Sequence, residues 1–181
     1  MPFKYILILF LIASTFNSCA QHKKTTTKKK NSKKTNQLKI KDANTAVLGS
    51  KADSIVLFSK KYLGVKYKYG GQDAKGFDCA GFVCFVYARH GIKMPRTADA
   101  QALLGTIVTR ANLQPGDLVF FKGREIKSKV VGHVGIVVEN QAGKIKFISA
   151  TVSSGIHIDD IDETYWKERY MLAKRILKEH H

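Results

Sequence analysis

Acidic side chains are missing from the first 41 residues of this 181-residue chain, although ten of its 31 lysines and arginines fall there. Nine of those ten are lysines between His22 and Lys41, mixed with Thr, Asn and Ser. Apolar residues are scarce in the same stretch, so it cannot bury a core, and its like charges hold it extended. We read residues 19–50 as a solvated tether. A second reading lays its lysines against anionic lipid or wall polymer. From Asp42 onward 21 basic residues meet 14 acidic ones, so a formal charge of +17 for the whole chain falls to +7 for the remainder. More than half of the basic excess therefore lies in the first 41 residues, which argues against a nucleic-acid partner for the folded part.

A long hydrophobic run is missing too. The longest, Tyr5–Ala13, is nine residues, against the ~20 that a membrane-spanning helix needs. With Lys4 before it, this run reads as the core of an export signal over residues 1–18. The following Phe16-Asn17-Ser18-Cys19 resembles a bacterial lipobox, in which the cysteine is acylated and becomes the new N-terminus. That reading places the protein in the cell envelope, held to a membrane by lipid on Cys19. An outer membrane, facing the periplasm, is expected because no Asp stands at position 20.

Cysteines number three. Cys79 and Cys84 fall five apart on one expected helix, a rise of about 7.5 Å, beyond the usual reach of a disulfide. Both are expected to remain thiols. No Cys or His spacing suits structural zinc, and the glycine-rich stretch lacks the Lys-Ser/Thr ending of a phosphate loop. No metal and no cofactor are expected. There is no internal repeat.

What is present divides into helices first and strands second. Ala52, Ile55, Val56, Ser59, Tyr62 and Leu63 fall on one helical face, with Gly64 as a stop. A glycine-rich loop spans Tyr67 to Gly76. A second helix starts at Asp78, a good N-cap, and ends at Gly91. A short third helix covers Thr97–Leu104. After the Pro115-Gly116 turn come strands at Asp117–Phe121, Val130–Val138, Lys144–Ala150, Ile156–Ile158 and Met171–Leu177, with a helical turn carrying Trp166 before the last. This order predicts one α+β domain over residues 51–178, with N-terminal helices packed on an antiparallel β-sheet.

Two residues in this plan suggest chemistry. Cys79 sits in the first turn of a helix, where free N–H groups and the macrodipole favour an anion and bring a thiolate within reach of neutral pH. Glycines at 70, 71, 76 and 81 leave little bulk nearby, so backbone can approach a substrate. His133 lies in an apolar strand between Gly132 and Gly135. A helix-start cysteine facing a strand histidine is the Cys–His arrangement of papain-like enzymes.

Several ordered segments then resemble one family. They are Leu63-Gly-Val-Lys-Tyr-Lys-Tyr-Gly-Gly71, Gly76-Phe-Asp-Cys-Ala-Gly-Phe-Val83, Met94-Pro-Arg-Thr97 with Gln101, Leu113-Gln-Pro-Gly-Asp-Leu-Val-Phe-Phe121 and Gly132-His-Val-Gly-Ile136. Together with Ser153-Ser-Gly-Ile156 and Tyr165-Trp-Lys-Glu-Arg-Tyr170, they resemble the NlpC/P60 family of bacterial cell-wall cysteine peptidases, in its lipoprotein endopeptidase form. The resemblance implies a circularly permuted papain-like fold. It also implies cleavage of peptidoglycan stem peptides, usually between γ-D-glutamate and the following diamino acid. Cys79 matches the family nucleophile, His133 the general base and Tyr67 the tyrosine near the oxyanion site. Asp78 matches a residue that helps bind the peptide's free amine, and it also serves as N-cap. Arg96 meets either a substrate carboxylate or an internal partner.

The chain departs from the family pattern at two places. Ala80 stands where the family usually has serine after the cysteine, and Ser149 stands where His, Asn or Gln usually orients the base. Ser149 is expected to accept from the imidazole Nδ1–H; His157 is the rival for that role. These departures keep two other readings open, a catalytically silent wall-binding lipoprotein and a papain-like acyltransferase. A monomer is expected.

Overall fold

The computed structural model describes residues 49–177. The expected signal, Cys19 and nearly all of the tether lie outside the described residues. The chain opens with helix α1 (Lys51–Lys60), then a small hairpin of β1 (Gln72–Asp73) and β2 (Gly76–Phe77), then helices α2 (Cys79–Ala88) and α3 (Ala98–Gln101). Strands follow as β3 (Thr106–Val108), β4 (Leu118–Lys122), β5 (Val131–Gln141), β6 (Lys144–Thr151) and β7 (Gly155–Asp160). Helix α4 (Thr164–Arg169) and strand β8 (Tyr170–Arg175) close the domain. The α+β architecture with an antiparallel sheet is as the sequence predicts.

Six strands form the sheet in the order β3-β8-β4-β5-β6-β7. The last strand is not an edge: β8 lies between β3 and β4, pairing Ala173 with both Val108 and Val119. β5 and β6 meet in a tight turn at Ala142 (φ 50°) and Gly143 (φ 87°). Two successive positive φ values match the right-handed twist of the hairpin.

Strand alternation divides the core in two. Val134, Ile136 and Val138 of β5 pack with Phe82, Val83 and Val86 of α2 and Ile55 and Val56 of α1. Val137, Phe121 and Phe147 face the other way, against Ile161 and Trp166. His133 shares the parity of Val137, so it emerges on the Trp166 side, while its neighbour Val134 faces the helices. Gly135, next on the His133 face, leaves room for the Phe147 ring, since a Cβ there would lie 2.4 Å from Phe147 Cδ2.

The loop glycines have a different use from the one expected. A Cβ on Gly81 would lie 2.0 Å from the Gly71 carbonyl oxygen, and one on Gly71 would lie 2.2 Å from that of Gly76. These glycines let the loop backbone press on the first turn of α2. They are contacts within the protein rather than clearance for a substrate. The Gly71 carbonyl also accepts from the Asp78 amide at 3.1 Å.

Candidate active site

Asp78 fixes where Cys79 sits. Its Oδ1 caps α2 by accepting from the Gly81 amide at 2.7 Å, and its Oδ2 accepts from the Gly70 amide at 3.0 Å. Arg96 forks onto the same carboxylate, Nη1 to Oδ1 at 3.0 Å and Nη2 to Oδ2 at 2.5 Å. Four accepted hydrogen bonds saturate a carboxylate. Of the two readings left open for Arg96, the structure displays the internal ion pair. Gln101, quoted above with the Arg96 segment, closes the same corner by donating to the Ala80 and Pro95 carbonyls at 3.1 and 2.8 Å.

Cys79 is half-buried and reduced, as is Cys84. The two do not pair, as their spacing predicts. Cys84 Sγ is turned away, donating to the Pro95 carbonyl at 3.1 Å. The backbone amide of Val134, the residue after His133, is near enough to Cys79 to favour its thiolate. The β5–β6 register begins at Ile136, so this amide belongs to the stretch of β5 beyond that pairing. Thiol and imidazole thus reach the same end of the sheet, one from the helix side and one from the other face.

The His133 ring is held on two sides. Trp166 stacks on it at 5.0 Å between centroids and 28° between planes. Ser149 Oγ, fully buried, lies 3.1 Å from Nε2. The sequence assigned this contact to Nδ1; the structure assigns it to Nε2, which leaves Nδ1 as the nitrogen free of Ser149. His157 lies across the β6–β7 ladder from Ser149. Its own Nε2 is 2.9 Å from Asp159 Oδ2, and its Nδ1 is 3.1 Å from the Gly155 carbonyl. The hydrogen bond to the His133 ring therefore comes from Ser149.

Electrostatics follow from this packing. Burial pushes the Cys79 thiol above its ordinary value, and the Val134 and Ala80 amides oppose that shift without cancelling it. Burial, with a smaller contribution from His157, pulls His133 down to about 4. Both shifts disfavour charge. Burial therefore favours the neutral thiol over the thiolate expected from the helix start, and thiol and imidazole are both neutral near pH 7. Tyr67 is raised, chiefly by burial and then by Cys79, so its hydroxyl remains a donor. Tyr67, Cys79, His133, Thr151, His157 and Trp166 share the lining of one cleft of about 770 Å³. Among the described residues no group of three or more His, Cys, Asp or Glu could hold a metal ion.

Two contributions were not foreseen. The Val134 amide is a backbone group and leaves no mark in sequence. Trp166 was placed only on a helical turn; its position in a segment shared with the family was the available signal.

A domain with its thiol at a helix start and its imidazole on an adjoining antiparallel sheet is of the papain-like type. Residues 64–175 match the NlpC/P60 family, and the chain belongs to that family. It is 40% identical over 115 residues to the murein DD-endopeptidase MepS/murein LD-carboxypeptidase of Escherichia coli K12, covering 63% of this chain and 57% of that one. It is 34% identical over 136 residues to the gamma-DL-glutamyl hydrolase of Bacillus subtilis 168, covering 74% of this chain and 32% of that one. The matched stretch therefore spans little more than half of the first relative and a third of the second. Among solved structures, an NlpC/P60 family protein from Bacillus cereus superposes with a TM-score of 0.64 at 31% identity, over 70% of this chain and 40% of that one.

The depressed His133 predicts an unusual acid limit. A base works only when neutral, and a ring titrating near 4 stays neutral well below histidine's ordinary 6.5. The acid limb of kcat/KM is therefore expected near pH 4 to 5. Trp166→Leu, which admits water to the ring, is expected to move that limb upward toward 6. A pH–rate profile of the two proteins checks both statements.

Proposed function

We propose that this protein is a cysteine peptidase of peptidoglycan stem peptides, with Cys79 as nucleophile and His133 as its base. The observation that carries the reading is the opening of thiol and imidazole into one cleft, with the far side of the ring already held by Ser149. As Sγ attacks the scissile carbonyl, its proton passes to the imidazole, so the costly charge separation arises only during reaction. The Cys79 amide and the Tyr67 hydroxyl stabilise the oxyanion. The imidazolium then protonates the leaving amine, and water hydrolyses the thioester. Ser149 fixes the tautomer, and the Trp166 face favours the imidazolium once it forms, partly replacing the stronger orienter that relatives carry at position 149. Asp78 and Arg96 act by holding Cys79 in place rather than by contacting the peptide.

For the bond cut, we infer the γ-D-glutamyl linkage to the diamino acid, which the name of the Bacillus subtilis relative favours. The higher identity to a protein named a DD-endopeptidase favours a second choice, the cross-link itself. We also propose that the protein is lipid-anchored through Cys19 in the cell envelope. Fractionation tests this: Cys19→Ala is expected to leave the membrane, and a native protein found soluble and without lipid mass contradicts it.

Mass spectrometry of digested muropeptides tests the activity. Cys79→Ala is expected to yield no new ends, and Cys84→Ala the same ends as the native chain. Ends after γ-D-glutamate and ends after D-alanine distinguish the two bonds. A native protein that binds wall material without cutting it would be the silent relative, and one that moves acyl groups between lipids would be the acyltransferase. Ser149→Ala is expected to lower kcat/KM by about tenfold, near 1.4 kcal/mol, while Ser149→His keeps or raises it. A silent Ser149→Ala beside a crippling His157→Ala would give the orienting role to His157.

A further inference from the structure

The charges that line the cleft fall into two sets. Asp159 and His157 are paired with each other. Lys122, Arg124 and Glu163 also line the cleft, yet their side chains have no hydrogen-bond or ion-pair partner among the described residues. They are not scattered. Lys122 ends β4 and Arg124 follows it, whereas Glu163 follows β7 and caps α4. In the sheet, β4 and β7 stand on opposite sides of β5, the strand that carries His133. Three strand spacings separate β4 from β7, roughly 14 Å, the length of about four extended residues.

We propose that the cleft reads the charge of its substrate from both walls: Lys122 and Arg124 take a free carboxylate, and Glu163 takes a free ammonium, of an extended peptide lying across His133. This rests on the peptidase reading and narrows its substrate class. A γ-linked glutamate leaves its α-carboxylate free unless that group is amidated. A diamino acid leaves its second amine free unless that amine is acylated or cross-linked. The preferred substrate is therefore an unamidated, uncross-linked stem peptide carrying both charges. Asp159 and His157 face each other at 2.9 Å in the same wall.

The test uses the full chain carrying Cys79→Ala, so that binding is read without turnover. Trp166, the chain's only tryptophan, lines the same cleft and reports occupancy by its fluorescence. Three synthetic probes are titrated: a stem tetrapeptide with free α-carboxylate and free side-chain amine, its α-amidated form, and its side-chain N-acetyl form. Amidation and acetylation are each expected to weaken binding about fivefold, the scale of a partly exposed ion pair. Adding Lys122→Gln and Arg124→Gln is expected to abolish the penalty for amidation and leave that for acetylation. Adding Glu163→Gln is expected to do the reverse. Equal affinities for the three probes, including no measurable binding of any, overturn the inference, as do penalties unchanged in the variants. Loss of the peptidase reading registers separately, as an uncut tetrapeptide when Cys79 is intact.

Discussion

The carboxylate of Asp78 accepts hydrogen bonds from the glycine loop, from the first turn of α2 and twice from Arg96. Its side chain is only 13% exposed, so these bonds form where water competes weakly. The arrangement fixes the first residue of α2, and that residue is Cys79. The close backbone contacts of Gly71, Gly76 and Gly81 follow from the same constraint, because the loop must lie directly on the helix for Gly70 to reach Oδ2. Sequence spacing, local capping and the position of the Cys79 thiol are here one problem with one solution.

The sheet supplies the second half of the site. β5 runs on past the start of its pairing with β6, and that stretch carries His133 into the cleft that Cys79 also lines. Strand alternation turns His133 to the face opposite Val134, onto Trp166 and Ser149. The ring is therefore fixed by an indole face and a neutral hydroxyl instead of by a charged partner. Burial keeps it neutral, and burial keeps the thiol neutral too. On the proposed mechanism charge is deferred to the moment of attack, and a stacked indole suits a site in which a cation exists only transiently.

Much of this was legible in the sequence because the signals were local. Asp78 as N-cap and the β-branched β5 run depend on short-range chemistry and lead to Cys79 and His133, whereas Ser149 was found through the family resemblance. Other features depend on distant pairing. Thr106–Val108 carries too short a pattern to reveal a strand, and it becomes one only because β8 inserts beside it. Gln72–Asp73 and Gly76–Phe77 pair as a hairpin within what read as an irregular loop. The expected helix over Thr97–Leu104 shrinks to Ala98–Gln101, where Gln101 is committed to the α2 corner. The upward shift of the thiol was not legible for a similar reason: the helix start is visible in sequence, whereas burial comes from tertiary packing.

The account depends on Cys79 and His133 acting as a unit. Alkylation of Cys79 by iodoacetamide, in a Cys84→Ala background and without any substrate, measures that coupling directly. The rate at pH 6 to 7 is expected to fall about a hundredfold when His133→Ala removes the proton acceptor, while Tyr67→Phe leaves it nearly unchanged. An alkylation rate indifferent to His133→Ala in a folded protein would show that the two side chains share a cleft but not a reaction.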